Sequence, residues 1–137
     1  MTNISGTCTS KVQSQTMVSV QGEPDHQVGL TVMLGQHKSP DPKWNDAMMT
    51  YVGTADLVGG NGQQTGYFYN AHPNGDISHG TFQARVTTGD TMTVEGTWQL
   101  SSGSGTLANL SGGGNFKAQM TSPTNSEMTW SGNYQLG

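Results

Sequence analysis

An all-β domain of eight or so antiparallel strands, closed as a single barrel or a two-sheet sandwich, is the fold this sequence predicts. Three observations lead there. Apolar residues recur at alternate positions in most segments, the period of a strand with one buried face. Short runs of Gly, Asn, Asp, Pro and Ser punctuate those segments with turn chemistry. No helical repeat of normal length occurs: the only helix-tolerant stretch is Trp44–Thr50, which follows Pro40 and Pro42. The length of 137 residues suits one domain over 1–137, with no linker to divide it.

In chain order the strand candidates are 12–20, 28–37, 48–58, 64–71, 78–88, 91–100, 106–109, 114–120 and 127–136. Breaks fall at Gly22–Asp25, Gly59–Gly62, Pro73–Asp76, Gly89–Asp90 and Ser101–Gly105. The second candidate carries Val28, Leu30, Val32 and Leu34 and ends at His37. The third alternates Met49, Tyr51, Gly53, Ala55 and Leu57 against Asp56. For the next two, a two-residue turn at Asn74-Gly75 sets Tyr67 opposite Phe82, Tyr69 opposite Gly80 and Asn70 opposite His79. The loop at Thr88-Gly89-Asp90 then sets Phe82 opposite Gly96, Ala84 opposite Val94 and Val86 opposite Met92, with Trp98 and Leu100 continuing that face. The last strand alternates Met128, Trp130, Gly132, Tyr134 and Leu136 against Glu127, Thr129, Ser131, Asn133 and Gln135.

Eight or so such strands close as a barrel or a two-sheet sandwich, and a barrel of this size is either filled or holds one small ligand. Gly53, Gly80 and Gly96 fall on otherwise apolar faces. They either free volume or permit tight coiling. The dipeptide Gly-Thr recurs at 6, 53, 80, 96 and 105, at irregular spacing, so no repeat architecture is implied.

Charge narrows the function. Only 14 residues are charged, 10 % of the chain, while 51 are Ser, Thr, Asn or Gln. The net charge of −4 offers no basic footprint, so neither nucleic acid nor an anionic membrane surface is an expected partner. No apolar run approaches the ~18 residues of a bilayer span. The N-terminal MTNISGTCTSK lacks a basic start and an apolar core, which leads to the expectation of a cytoplasmic protein, a mature secreted form being left open. Cys8 is the single cysteine and has no internal disulfide partner.

Catalytic motifs are weak. Gly103-Ser-Gly-Thr-Leu-Ala108 fits a dinucleotide pattern, but no helix follows it to receive a pyrophosphate. Gly103-Ser104-Gly105 lacks the spacing of a nucleophile elbow. His26, His37, His72 and His79 show no close ligand spacing, so neither a metal site nor any other cofactor is expected; the register puts His72 and His79 on the polar face. Segment 38–46 holds four of the charges and reads as a solvated loop or a lid at the barrel mouth. Of the acids inside strands, Asp56 and Glu95 both face outward. Asn3-Ile-Ser5 and Asn109-Leu-Ser111 fit the glycosylation pattern, read here as chance.

The runs Thr65–Asp76, Gly80-Thr-Phe82, Gly96-Thr-Trp98, Ser102–Ala108 and Leu110–Gly114 resemble the allene oxide cyclase and dirigent superfamily, in its small bacterial branch. The resemblance covers roughly residues 50–137 and rests on structural glycines. It implies a calycin-like eight-stranded barrel with a mostly apolar cavity, a homo-oligomer (dimer or trimer), and guidance of a reactive small molecule by the shape of the pocket.

The function expected is binding of a small apolar ligand, with cofactor-free cyclase or isomerase chemistry as its enzymatic form. Tyr51, Tyr67, Tyr69, Phe82, Trp98, Trp130 and Tyr134 are the candidate lining, with Met92 and Met128 beside them and tyrosine hydroxyls as donors. No residue is assigned a catalytic role. Two other readings stand beside it: a filled barrel acting as a structural or interaction module, and a carbohydrate-binding sandwich with exposed aromatics such as Trp44.

Overall fold

The computed structural model describes residues 1–137. Eight strands follow one another: β1 (Thr2–Ser19), β2 (His26–Lys38), β3 (Met48–Val58), β4 (Asn61–Ala71), β5 (Ile77–Thr88), β6 (Met92–Gly103), β7 (Leu110–Met120) and β8 (Asn125–Leu136). Each pairs antiparallel with its sequence neighbour, and β8 returns to β1, so the sheet closes as a barrel and leaves no edge. It is not a sandwich. No helix is long and apolar enough to cross a membrane.

Two elements differ from the sequence reading. β1 begins at Thr2, ten residues before its predicted start; its first half, rich in Ser and Thr, pairs with β8, and its second half follows β2 past a bulge at Val12/Ser14. The predicted strand at 106–109 is a single turn of 3₁₀ helix, Gly105–Leu107. Gly105 has φ +60 and a Cβ there would sit 2.0 Å from Asp76 Oδ1, so the turn needs glycine. Asp76 accepts from the Thr106 hydroxyl and N–H, which pins this turn to the β4–β5 loop. The turn thereby delivers Leu107, 1 % exposed, into the barrel end.

The β4–β5 register is the main correction. Its loop holds five residues, His72–Asp76, because His72 N–H bonds Asp76 C=O and Asn74 Oδ1 accepts the Asp76 N–H. Tyr67 therefore pairs with Thr81 and Tyr69 with His79, one step from the two-residue-turn register. A one-residue slip turns a whole strand over. Tyr67 and Tyr69 accordingly stand outside, 69 % and 42 % exposed, and Phe68, Gln64 and Asn70 face inward. The β5–β6 loop is Gly89–Thr91, which shifts pairing by two to Phe82↔Trp98 and leaves the inward face as expected.

β2 is also turned over. Val28, Leu30 and Leu34 are exposed, while Thr31, Met33 and His37 are buried. The inward glycines are seats for rings: a Cβ on Gly6, Gly53, Gly80 or Gly132 would meet Trp130, Phe82, Phe68 or Trp98 respectively, within 3.1 Å. Gly96 instead allows close approach of β5, where its Cβ would meet Ala84. These glycines let large aromatics fold down inside a narrow barrel.

The register makes a testable distinction. Phe68→Ala is expected to cost about 3 kcal/mol and Tyr67→Ser less than about 0.5 kcal/mol in urea unfolding. The reverse order would restore the two-residue-turn register.

Candidate functional site

One end of the barrel, where the β2–β3, β4–β5 and β6–β7 loops meet, is closed by a plug. The segment between β2 and β3 supplies it. Asp41 C=O accepts from both Trp44 and Asn45 N–H, and its carboxylate accepts from Lys43 N–H. Asn45 Oδ1 takes the Ser39 N–H, and Ser39 Oγ bonds Ser5 C=O. This tight loop turns Trp44 inward, where it is 3 % exposed. Segment 38–46 is thus a closure with its charges outside: Lys38 pairs with Asp46 on the surface. No helix forms at 44–50.

Trp44 packs edge-on against His72, Trp130 and Tyr134, with ring centroids 4.8, 6.3 and 5.7 Å away. Ile4, Leu100, Leu107 and Leu110 complete the cluster. Tyr134 belongs to this plug; its hydroxyl donates to Asp41 Oδ2 at 3.1 Å. Burial and the Asp41 charge both raise its pKa.

Below the plug lies a cavity of about 110 Å³. Of the predicted lining, Tyr51, Phe82, Trp98 and Trp130 face it, with Met33, Phe68, Phe116 and Met128. Tyr134 is buried but above it, Met92 packs in a separate cluster with Val86 and Leu57, and Tyr67 and Tyr69 are outside for the register reason given. The exposed Gln119, beside Met120 and Ser126, marks where the cavity approaches solvent. No Asp, Glu, Lys or Arg side chain lines it. The Tyr51 hydroxyl donates to Gln64 Oε1 at 3.4 Å, and burial raises its pKa, so it stays protonated. Cys8 is buried, and burial pushes its thiol up to about 12, which leaves little thiolate for chemistry.

The polar residues that the sequence reading missed form a chain behind the plug. His72, expected on the polar face, is buried, and its Nδ1 lies 2.6 Å from Lys43 C=O. A carbonyl only accepts, so His72 Nδ1 carries the proton and Nε2 is an acceptor. Ser78 Oγ, 2.8 Å away, donates its one proton to that nitrogen. Asn70 must then offer Ser78 its Nδ2, at 3.2 Å, and turn Oδ1 toward His37 Nε2, at 3.0 Å. His37 therefore carries its proton on Nε2. Its Nδ1 is a bare lone pair, buried, with no partner in the protein. His37 lines the cavity and meets Trp130 edge-to-face at 5.4 Å. The Trp130 indole N–H is likewise buried and unpartnered.

A signal for His37 was present in parity, since it shares odd numbering with Met33 and Gly35. The apolar residues on the opposite parity masked it. His79 is exposed, as expected, and stacks on Tyr69. His26 bonds Glu23 and Asp56 at the other end of the barrel. No three His, Cys, Asp or Glu side chains converge to hold a metal ion. No protein-family model matches this chain, and no curated protein matches it.

Burial pushes the His37 pKa from 6.5 down to about 4 and lowers that of His72 as well. The unfolded chain then takes up protons first as pH falls. Stability is complete above about 6.5 and declines toward pH 4. The His37 shift corresponds to about 3 kcal/mol. His26, raised by its Asp56 bond, acts in the opposite sense but is exposed to solvent screening. Asp76, held low by Thr106, adds a loss only below the ordinary carboxylate range. Urea unfolding at pH 7.5 and 4.5 is expected to show this loss, and His37→Gln to remove most of it.

Proposed function

We propose that this protein is a small-molecule-binding β-barrel whose interior takes an uncharged, largely apolar ligand. The observation that carries the reading is a cavity without a charged side chain. A charged ligand entering it would lose hydration with no counter-ion to compensate. An engineered cavity of about 150 Å³ holds benzene, so about 110 Å³ suits a molecule of roughly five or six heavy atoms. Methionines at Met33, Met120 and Met128 supply adaptable walls. The resemblance to the allene oxide cyclase and dirigent superfamily supports the same reading.

Cyclase or isomerase chemistry belongs to this proposal as its catalytic form. Neutral groups would carry it, with the Trp130 N–H as donor and His37 Nδ1 as acceptor, acting by position. Burial of Trp44 and Trp130 removes two of the three tryptophans from the surface that a carbohydrate-binding reading requires.

A homo-oligomer also has a physical basis. The outer face of β1–β3 carries Val18, Val28, Leu30, Leu34 and Val52, all at least 36 % exposed. Lys11 pairs with Leu34 at one end of this stripe, and Asp56 pairs with Val28 at the other. A two-fold-related copy would set each lysine toward the opposite aspartate while burying the stripe. Sedimentation is expected to give a dimer that Leu30→Lys converts to monomer; a monomeric wild type would end this part of the proposal.

Native mass spectrometry of the purified protein, followed by thermal shift with small hydrocarbons, tests the binding reading. Stabilisation is expected for wild type. Ala118→Leu, which fills the cavity, is expected to abolish the shift while keeping or raising the melting temperature. No shift with any compact apolar compound would leave the filled-barrel reading.

A further inference from the structure

We infer that the closed end of the cavity is a hydroxyl-recognition site, built from His37 Nδ1 as acceptor and the Trp130 indole N–H as donor. The inference rests on the reading of the interior as a ligand site and names the ligand's chemistry within it. His37 is 5 % exposed and Trp130 7 %, and neither polar atom has a partner in the protein. Buried polar atoms in folded proteins are overwhelmingly hydrogen-bonded.

The two atoms are complementary in kind. The Lys43 carbonyl sets the direction of the His72–Ser78–Asn70–His37 chain, so Nδ1 can only accept. An indole N–H can only donate. A hydroxyl does both, and an ether, a carbonyl or a hydrocarbon does not. A carboxylate would meet the His37 lone pair with another lone pair, in a cavity that holds no cation. The rest of the ligand lies among Met33, Phe82, Phe116 and Met128 and is apolar. The class is therefore a compact, neutral alcohol: one hydroxyl at the closed end and a hydrocarbon body toward the Ser126 side.

The test compares cyclopentanol with cyclopentane, which differ by that group alone. Binding is followed by methionine methyl resonances, and the Trp130 indole N–H resonance is assigned by its loss in Trp130→Phe. A dry, merely apolar cavity prefers the hydrocarbon, because the alcohol must shed water without replacement. The site proposed here reverses that order. Cyclopentanol is expected to bind at least about tenfold more tightly to wild type, and to shift the Trp130 indole resonance where cyclopentane does not. Trp130→Phe keeps a ring in place and is expected to remove most of the preference. If cyclopentane binds as well or better, or if the preference survives with the indole resonance unmoved, the hydroxyl site is overturned and the apolar cavity stands. If neither compound binds, both readings fall.

Discussion

Closure of the sheet on itself is the constraint on which the rest depends. Ten residue pairs, Thr2–Lys11 against Asn125–Tyr134, join the first strand to the last. They are formed by residues far apart in the chain, and little in the local apolar pattern of β1 calls for them. Their consequence is an inside. Once the ring is shut, each strand has one face turned away from water. Trp130, Trp98, Phe82 and Phe68 then share a space narrow enough that the facing backbone must be glycine.

How much of this was legible follows from that geometry. Strand period and turn chemistry are local, and they marked seven of the eight strands over most of their length. β8, with Met128, Trp130 and Tyr134 on one parity, was read with its faces correct. β4 was not, because its face depends on whether a loop holds two residues or five. Asp76 holds that loop by accepting the His72 N–H on its carbonyl and the Thr106 hydroxyl on its carboxylate, the second a contact across thirty positions of sequence. β2 misled for a different reason: valine and leucine stand on its outer, exposed parity, and they were read as core. The first half of β1 hid behind Ser and Thr, whose β-propensity counts only once β8 is beside them.

The candidate site shows the same division. Phe82, Trp98, Trp130 and Tyr51 were found from alternation. His37, Asn70, Ser78 and His72 come from three strands and a loop, and no spacing in the sequence joins them. What unites them is satisfaction: four buried polar side chains, each using its neighbour, anchored on one backbone carbonyl. Trp44 makes this affordable by excluding water from one side, and its own position depends on Asp41 and Asn45 folding the loop beneath it.

The direction of that chain has a kinetic meaning. A proton arriving on His37 Nδ1 has nowhere to go. To hand on the Nε2 proton, every link would have to reverse, and the last would press a nitrogen lone pair against the Lys43 carbonyl. The interior is thus a cul-de-sac for protons, with no relay to bulk water on the plugged side. Such a cavity can hold the hydrogen of a guest, but it cannot cycle protons through the wall. On the binding reading proposed above, such a wall favours residence of a guest over turnover by acid–base exchange through the plugged side.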